Sequence, residues 1–236
     1  SLILTGGSLS TQVSGSGTTN IIGTVINNVA ISQDVNVSAT GDLTVKANIG
    51  NLENNGTVNA NANNLTGTIT NLNSLVLNGG TLSNEITGTG TTNIIGTVIN
   101  NVAISQDVNV DTTGKLTVNA NIGNLTNNGS VNANTTNLTG TINNSGTLNL
   151  SGTLNKEISG LGTTKILGTD LTLVNGAIIK GTLEVNNKTL NLLATNTEGM
   201  FNNVRINSGT LNLINNTVNN LSANSFIING NVNVLL

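Results

Sequence analysis

The chain has 236 residues, of which only 7% are charged and 1% are aromatic, and it contains no Pro, Cys, His, Trp or Tyr. Without His and Cys there is no Ser-His-Asp or Cys-His catalytic arrangement, no imidazole metal ligand and no disulfide framework. Ten acidic residues against seven Lys and Arg give a net charge of −3. This charge argues against a nucleic-acid partner, because binding to phosphates needs a basic face. No run of about 20 apolar residues is present, so the chain is not expected to be inserted in a membrane.

Val, Leu, Ile and Ala supply nearly all of the hydrophobic residues, and Asn, Thr, Gly and Ser supply most of the rest. Val, Ile and Thr favour strands, whereas Asn and Gly favour tight turns and are poor helix formers. The low charge and the many β-branched residues also distinguish the chain from disordered sequences. The composition therefore predicts many short strands joined by many turns.

In chain order, the first predicted strands are apolar triplets bounded by Gly, Asn, Ser or Thr. Alternation of apolar and polar residues over three to five positions is typical of a strand with one buried face. The triplets are Leu2–Leu4, Val35–Val37, Leu43–Val45, Val58–Ala60 and Leu75–Leu77. Such strands are too short for a sandwich, and they suit a parallel β-helix in which each coil contributes two or three short strands.

An internal repeat organises these strands. The segment GTTNIIGTVINNVAISQDVNV begins at Gly17 and recurs unchanged from Gly90, so the offset in the numbering is 90 − 17 = 73. The flanking sequences also match, and TLNLSGTLNKEISGLG from Thr147 begins a third, diverged copy. Selection for one unique active site rarely leaves identical copies, whereas selection for length or for many equivalent surfaces does. The predicted solenoid repeat units are 1–73, 74–146 and 147–236.

The predicted fold class is an all-β parallel β-helix, or β-solenoid, with right-handed coiling and about 18–24 residues per coil. Strand matches at an offset of 43 − 25 = 18, Val25 with Leu43 and likewise Val58 with Val76, favour about four coils per repeat unit, and three longer coils are the alternative. A narrow interior of stacked aliphatic residues explains the scarcity of aromatics. Asn side chains at the corners are expected to form amide ladders between coils.

Glycine-containing segments predict the turns. The segments GSGTTN from Gly15 and GTGTTN from Gly88 are predicted to be turns, because neither continues as a phosphate-binding loop. Five Asn-Gly pairs predict further sharp turns. These pairs are Asn55–Gly56, Asn78–Gly79, Asn128–Gly129, Asn175–Gly176 and Asn229–Gly230.

The match to the repeat fades after about Gly168. This part contains Met200, Phe201, Arg205 and Phe226. We expect a diverged continuation of the solenoid here, with a capping segment as the alternative, because solenoid ends must be protected. The apolar ending Val234–Leu236 predicts that the natural polypeptide continues, and Ser1 is expected to be a domain boundary.

Carboxylates are the main candidates left for catalysis or metal binding, and no two of them are adjacent. The acidic residues are Asp34, Asp42, Glu53, Glu85, Asp107, Asp111, Glu157, Asp170, Glu184 and Glu198. Paired carboxylates acting on one glycosidic bond lie about 5–10 Å apart. Asp34 and its repeat equivalent Asp107 are instead expected about four coils apart, roughly 19 Å. A weak calcium site from Asp34 and Asp42 has no supporting motif, so no catalytic, cofactor or metal residue is predicted, and no binding residue is assigned.

The segments GTTNIIGTVINNVAISQDV and NLTNNGSVNANTTNLTGTINNSGTLNL resemble, in style and period, the passenger regions of large Gram-negative autotransporters. The closest likeness is to the rickettsial surface cell antigen family, which includes outer-membrane proteins A and B, and two-partner-secretion exoproteins share the same style. The resemblance spans the whole chain. It implies export through the outer membrane, a C-terminal β-barrel outside this sequence, an extracellular or cell-surface location and adhesion to host cells.

The sequence therefore predicts a non-enzymatic function without a cofactor. We expect a surface-exposed segment of a large secreted adhesin or autotransporter passenger that mediates or presents adhesion to a molecule of a host or neighbouring cell. One alternative is a purely structural stalk or filament whose copies associate end to end. Another is a carbohydrate-active β-helix enzyme, which requires a cleft with several acids within about 10 Å of each other.

Overall fold

The computed structural model describes residues 1–194, 198–213 and 223–235, and its strands pair in parallel to form a β-solenoid. This confirms the fold class predicted from the sequence. Two compact units, Ser1–Gly123 and Asn124–Leu236, make up the chain. Within the described ranges, no helix has the length and apolar character needed to cross a membrane. Leu236, which ends the predicted apolar terminus, lies outside the described residues.

The first unit is built from short strands, and every apolar triplet predicted from the sequence lies inside one of them. The strands are β1 (Leu2–Leu9), β2 (Thr18–Asn27), β3 (Asp34–Val37), β4 (Asp42–Val45), β5 (Leu52–Asn54), β6 (Thr57–Ala60), β7 (Ile69–Asn71), β8 (Ser74–Leu82), β9 (Ile86–Thr87), β10 (Thr91–Asn100), β11 (Asp107–Val110) and β12 (Lys115–Val118). A short 3₁₀ turn, η1 (Ala62–Asn64), precedes β7.

Each coil of the first unit has three sides, which we number by the column of paired residues that runs along each. The first side contains Thr19, Val35, Leu52, Ile69 and Ile86. The second side contains Val25, Leu43, Val58, Leu75 and Thr92. The third side begins with the isolated bridges of Val13, Ile31, Ile49 and Leu65. All of these side chains except Val13 are buried, so the three columns enclose a narrow, mostly aliphatic interior.

Coils of the first unit are shorter than the sequence suggested. On the second side, the sequence numbers of paired neighbours differ by 58 − 43 = 15 at the shortest and by 43 − 25 = 18 at the longest. The expected pairing of Val25 with Leu43 is confirmed. The expected match of Val58 with Val76 is wrong, because Val58 pairs with Leu75 and the next residue faces outward.

The sequence repeat does not contain a whole number of these coils. Thr19 and Thr92 occupy the same position in the two identical copies, yet Thr19 pairs on the first side and Thr92 on the second. Four coils lead from Thr19 to Ile86, and one further side leads to Thr92. The repeat is therefore four coils plus one side, which replaces the expected count of about four, and its second copy faces a different direction.

Buried amide side chains form the predicted ladder at one corner of the first unit. Asn54 Nδ2 donates to Asn71 Oδ1 over 2.7 Å, and Asn71 Nδ2 donates to Gln106 Oε1 over 2.7 Å. Gln106 Nε2 donates to the main-chain oxygens of Asn71 and Thr87, each over 2.8 Å. Buried polar groups cost free energy unless they are paired. The ladder thus lets the chain turn tightly while its corner amides stay inside.

The second unit starts with similar short strands and ends with long ones. Its strands are β13 (Leu125–Asn127), β14 (Ser130–Asn134), β15 (Ile142–Asn144), β16 (Thr147–Leu154), β17 (Glu157–Ser159), β18 (Thr163–Leu173), β19 (Ile178–Leu192), β20 (Phe201–Leu213), β21 (Ala223–Ile228) and β22 (Val232–Leu235), with a 3₁₀ turn η2 (Thr135–Asn137). Thr147 pairs with Thr163, which pairs with Thr182, so the offset between paired neighbours rises from 163 − 147 = 16 to 182 − 163 = 19. The described strands after Thr147 therefore continue the parallel pairing, with wider coils.

Four of the five Asn-Gly pairs lie at bends or turns, namely Asn55–Gly56, Asn128–Gly129, Asn175–Gly176 and Asn229–Gly230, the last with its bend at Gly230. Asn78–Gly79 instead lies within β8, and this prediction of a separate turn is wrong. There the chain passes from the second side to the third without leaving the strand. Gly79 and Gly80 have φ angles of 151° and 95°, a region that glycine enters at little cost.

Candidate functional site

The acids that the sequence analysis compared do not meet. Asp34 begins β3 on the first side, whereas Asp42 begins β4 on the second. Asp107 stacks in the column of Asp42 and is separated from it by Thr57, Ser74 and Thr91. Four strand spacings correspond to about 19 Å, too far for the two carboxylates to share a substrate bond. Among the described residues there is no group of three or more His, Cys, Asp or Glu that could hold a metal ion.

A different pair of carboxylates, Asp34 and Glu53, lines one small groove on the first side. The cavity measures about 280 Å³, and Thr18, Asn36, Asn51, Thr68 and Thr70 also line it. Asn36 pairs with Glu53, so Glu53 lies one coil above Asp34 and two residues further along. Strand spacing and rise then separate the two Cβ atoms by about 8 Å. We call this cavity the Asp34–Glu53 groove.

Amide groups hold both carboxylates of the Asp34–Glu53 groove. Asn51 Nδ2 donates to Asp34 Oδ1 over 2.9 Å, and Asn55 Nδ2 donates to Glu53 Oε1 over 3.4 Å. Among the described residues that line this groove there is no Lys or Arg. Two steps relate the two acids: two positions along the strand lead from Asp34 to Asn36, and one coil leads from Asn36 to Glu53. Sequence reasoning missed the pair because it compared acids at the repeat offset instead of the coil offset.

The second unit contains a larger cavity, of about 610 Å³, lined by Asn124, Thr139, Thr141, Lys156, Glu157 and Ser159. The Lys156 ammonium is held by main-chain oxygens, donating to Leu138 over 2.6 Å, Thr139 over 3.2 Å and Gly140 over 3.4 Å. The neighbouring Glu157 is exposed to solvent. We call this cavity the Glu157 groove.

The residues of the Glu157 groove have counterparts earlier in the sequence. Asn51 and Thr68 are the repeat equivalents of Asn124 and Thr141. Thr68 donates from its N–H and Oγ1 to Asn51 Oδ1, over 2.9 and 3.0 Å. Thr141 makes the same two bonds to Asn124 Oδ1, also over 2.9 and 3.0 Å. The first wall of the groove is therefore present once in each unit.

The opposite wall is repeated as well, with one change of charge. Asn84, Glu85 and Thr87 are the repeat equivalents of Lys156, Glu157 and Ser159, allowing for the single deletion in the third copy. Thr87 Oγ1 donates to the main-chain oxygen of Ile69 over 3.0 Å, and Ser159 Oγ donates to that of Ile142 over 2.9 Å. Asn84 Nδ2 donates to the oxygen of Leu65 over 3.0 Å, where Lys156 donates to Leu138. We give the name Glu85 site to the first-unit counterparts of the Glu157 groove, which are Asn51, Thr68, Asn84, Glu85 and Thr87.

The hydrogen bonds determine what these two sites offer a ligand. The hydroxyl protons of Thr68, Thr87, Thr141 and Ser159 are donated to oxygens of the protein itself. A hydroxyl that has donated its proton still presents lone pairs, and a carboxylate only accepts. Both sites therefore present hydrogen-bond acceptors to solvent, which suits ligands rich in N–H or O–H donors.

No protein-family model, curated protein or solved structure matches the chain. Interpretation of function therefore depends on the chain's own geometry. Within the part of the chain that the structure describes, that geometry comprises the carboxylate pair of the Asp34–Glu53 groove, which is not repeated, and one acceptor-lined site that recurs in both units.

Proposed function

We propose that the chain is a surface-displayed segment of a large secreted adhesin, of the autotransporter-passenger type, that mediates or presents adhesion to a host or neighbouring cell. The observation that supports this proposal is the recurrence of one site, with the same hydrogen bonds, as the Glu85 site and the Glu157 groove. Two linked sites raise overall avidity about 10²–10⁴-fold without any new contact when a partner engages both. Because avidity multiplies the affinity of each site, two acceptor-lined sites that bind weakly on their own can together support adhesion.

The rotation of the repeat around the coil also fits display on a surface. Ile22 and Ile95 are equivalent residues of the two identical copies, and each is 43% exposed. Because the copies differ by one side of the coil, these side chains project in different directions within the first unit. A partner therefore meets the same motif on more than one side of the chain, an arrangement that serves adhesion better than one-sided catalysis.

The test is binding of the purified chain to a cell-surface extract, compared among three proteins. The first is the parent, and the second carries Glu85→Gln and Glu157→Gln, which remove the carboxylate from each copy of the site. The third carries Asp111→Asn and Asp170→Asn, two exposed acids outside both sites, so it has the same net charge as the second.

Adhesion through the repeated site predicts that the Glu85/Glu157 variant loses most of its binding while the charge-matched control keeps it. Equal losses of binding in both variants would mean that binding depends on the net charge of the chain and not on the repeated site. Parent binding no greater than background would remove the adhesin proposal and leave the structural stalk or filament. End-to-end association of copies in sedimentation would then support a filament.

The Asp34–Glu53 groove favours a second candidate, a carbohydrate-active enzyme. The Cβ atoms of Asp34 and Glu53 are about 8 Å apart by strand geometry, which places their carboxylates within reach of the roughly 6.5–9.5 Å separation of inverting glycosidases. The repeat equivalent of Glu53 is Thr126, so this pair breaks the repeat, as a unique active site would. Release of reducing ends from a polysaccharide panel tests it, with Asp34→Asn as the control. Release by the parent that the variant lacks would establish the enzyme, and no release by the parent would exclude it for that panel.

A further inference from the structure

Asn-Gly pairs are prone to a spontaneous reaction because glycine has no Cβ to shield its nitrogen. The glycine nitrogen loses its proton and attacks the asparagine Cγ, which forms a new C–N bond and closes a succinimide. The side-chain nitrogen leaves as ammonia, and water then opens the ring to aspartate or isoaspartate. The reaction needs no partner except water, but the glycine nitrogen must be able to reach Cγ.

The buried amide ladder of the first unit holds the Gly56 nitrogen, which is the atom that would attack Asn55. Gly56 N–H donates to Asn54 Oδ1 over 3.0 Å. Asn54 is fully buried, and its Nδ2 donates to Asn71 Oδ1 over 2.7 Å and to the Ser74 oxygen over 2.9 Å. Attack on Asn55 therefore requires a buried hydrogen bond to open first.

Gly56 is also closely packed against the neighbouring coil. A Cβ added to it would lie 2.3 Å from the main-chain oxygens of both Ser38 and Gly41. Close packing of this kind opposes the backbone rotation that carries the glycine nitrogen towards Cγ.

The same protection appears in the second unit. Gly129 N–H donates to Asn127 Oδ1 over 3.0 Å, and Asn127 is fully buried. Asn127 Nδ2 donates in turn to Asn144 Oδ1 over 2.8 Å and to the Thr147 oxygen over 3.0 Å. Asn128–Gly129 is therefore restrained like its repeat equivalent.

Asn175–Gly176 lies in a different environment. Both residues are exposed, at the tip of a turn closed by the Ala177 N–H, which donates to the Val174 oxygen over 3.0 Å. The Gly176 N–H takes no part in that closing bond, and the φ angle of Gly176 is 93°. We propose that Asn175 is a spontaneous deamidation and isomerisation site, and that the buried ladders protect Asn55 and Asn128 from the same reaction.

The experiment is ageing of the native chain in mildly alkaline buffer, followed by peptide mass mapping of the pairs at Asn55, Asn128 and Asn175. Asn175 is expected to react at least about tenfold faster than Asn55 or Asn128, the factor equivalent to about 1.4 kcal/mol for opening one hydrogen bond. In the urea-denatured chain, where the ladders are absent, the three rates should converge. Equal rates in the native chain would overturn the proposal.

Two variants isolate the ladder. Asn54→Ala removes the acceptor of Gly56 N–H and should raise the rate at Asn55 about tenfold, with Asn128 as the unchanged internal control. Asn127→Ala should do the reverse. If Asn54→Ala leaves the rate at Asn55 unchanged, the ladder is not the protecting group. If hydrogen exchange shows that either variant loosens a whole coil, the variants are set aside. The deamidation rates of the native and denatured parent chain then test the proposal.

Discussion

The narrow coils of the first unit and the wide coils at the end of the second unit both enclose a buried interior, but they use different numbers of residues per coil. In the first unit, the offset between paired neighbours on the second side is at most 43 − 25 = 18. In the second unit, Phe201 pairs with Ala223 and Gly209 pairs with Val232, offsets of 223 − 201 = 22 and 232 − 209 = 23. The extra residues go into strands, since β19 has 15 residues and β20 has 13.

The two regions also turn their corners differently. At the corner of Asn54, Asn71 and Gln106, the narrow coils leave the strand and satisfy the freed backbone groups with these buried amides. Wide coils run through the corner as one strand with register shifts around Asn186, where Asn187 has a φ angle of 54°. A bulge of this kind bends a strand while the ladder of backbone bonds resumes on both sides.

The interiors differ accordingly. Among the described residues, the buried polar side chains end at Thr164, and the wide coils bury Met200 and Phe201 instead. Amides still stack there, but at the surface, as in Asn207 Nδ2 to Asn186 Oδ1 over 2.6 Å. Among the described residues, fully buried amide ladders therefore belong to the narrow coils, whereas the wide coils stack their amides at the surface.

The largest effect is expected from a charge placed in a narrow coil. Val45 is 3% exposed, so Val45→Asp should cost more than about 4 kcal/mol, because an unpaired buried carboxylate has no compensating partner. Repeat arrays open coil by coil, so hydrogen exchange of the amides in β4 and its neighbours β2 and β6 is the measurement. The matched control is Thr44→Asp on the outward face of β4. Equal protection in both variants would mean that the wrong face has been assigned to the interior.

A cavity in a wide coil should come next. Phe201 is 5% exposed, and Phe201→Ala should destabilise the second unit by about 3–4 kcal/mol, through lost burial and the void that remains. Phe201→Leu, which keeps most of the volume, should cost about half as much. Exchange of the amides in β19 and β20 reports the effect. A loss below about 1 kcal/mol for Phe201→Ala would show that the wide coil collapses around the gap.

Much of this fold could be predicted from the sequence because its strands are local. Triplets such as Val35–Val37 and Leu43–Val45 carry their buried face in their own alternation, and both lie in strands. The coil length was harder to predict, because a shift of one residue moves a side chain to the opposite face. Val76 is apolar, but it is Leu75 that pairs with Val58.

Features that depend on the number of coils were beyond the sequence. The offset between the identical copies reveals a repeat, but only the pairing of Thr92 above Leu75 reveals the extra side. Without that side, Asp107 is assigned to the column of Asp34 instead of Asp42. The Asp34–Glu53 groove was missed because its two acids are related by one coil and not by the repeat offset. The buried role of Gln106 likewise depends on Asn71, which lies two coils earlier in the chain.

An amide ladder should matter more in the core than at the surface. Asn71→Ala leaves one buried Nδ2 proton of Asn54 without its acceptor and removes one of the two donors to Gln106 Oε1, which keeps Thr92 Oγ1 at 3.2 Å, so it should cost about 2–3 kcal/mol. Asn207→Ala removes a half-buried member of the ladder in the wide coils and should cost less than about 1 kcal/mol. Urea unfolding of each variant, with exchange of nearby amides, measures both. Similar costs would contradict the division between core and surface ladders.

The smallest effect is expected from the ion pair of the wide coils. Lys165 Nζ lies 3.8 Å from Glu184 Oε2, and the two side chains are 40% and 17% exposed. Exposed pairs contribute about 0.2–1 kcal/mol, because water screens the charges and both side chains lose freedom. Lys165→Met should therefore lower stability by less than about 1 kcal/mol. Glu184 keeps the hydrogen bond from Asn186 Nδ2 at 2.7 Å, so its carboxylate is not left unpaired.

Urea unfolding at low and high salt provides the measurement, and the small loss should shrink further in high salt. A salt-independent loss of more than about 2 kcal/mol would show that the wide coils depend on paired charge as the narrow coils depend on paired amides.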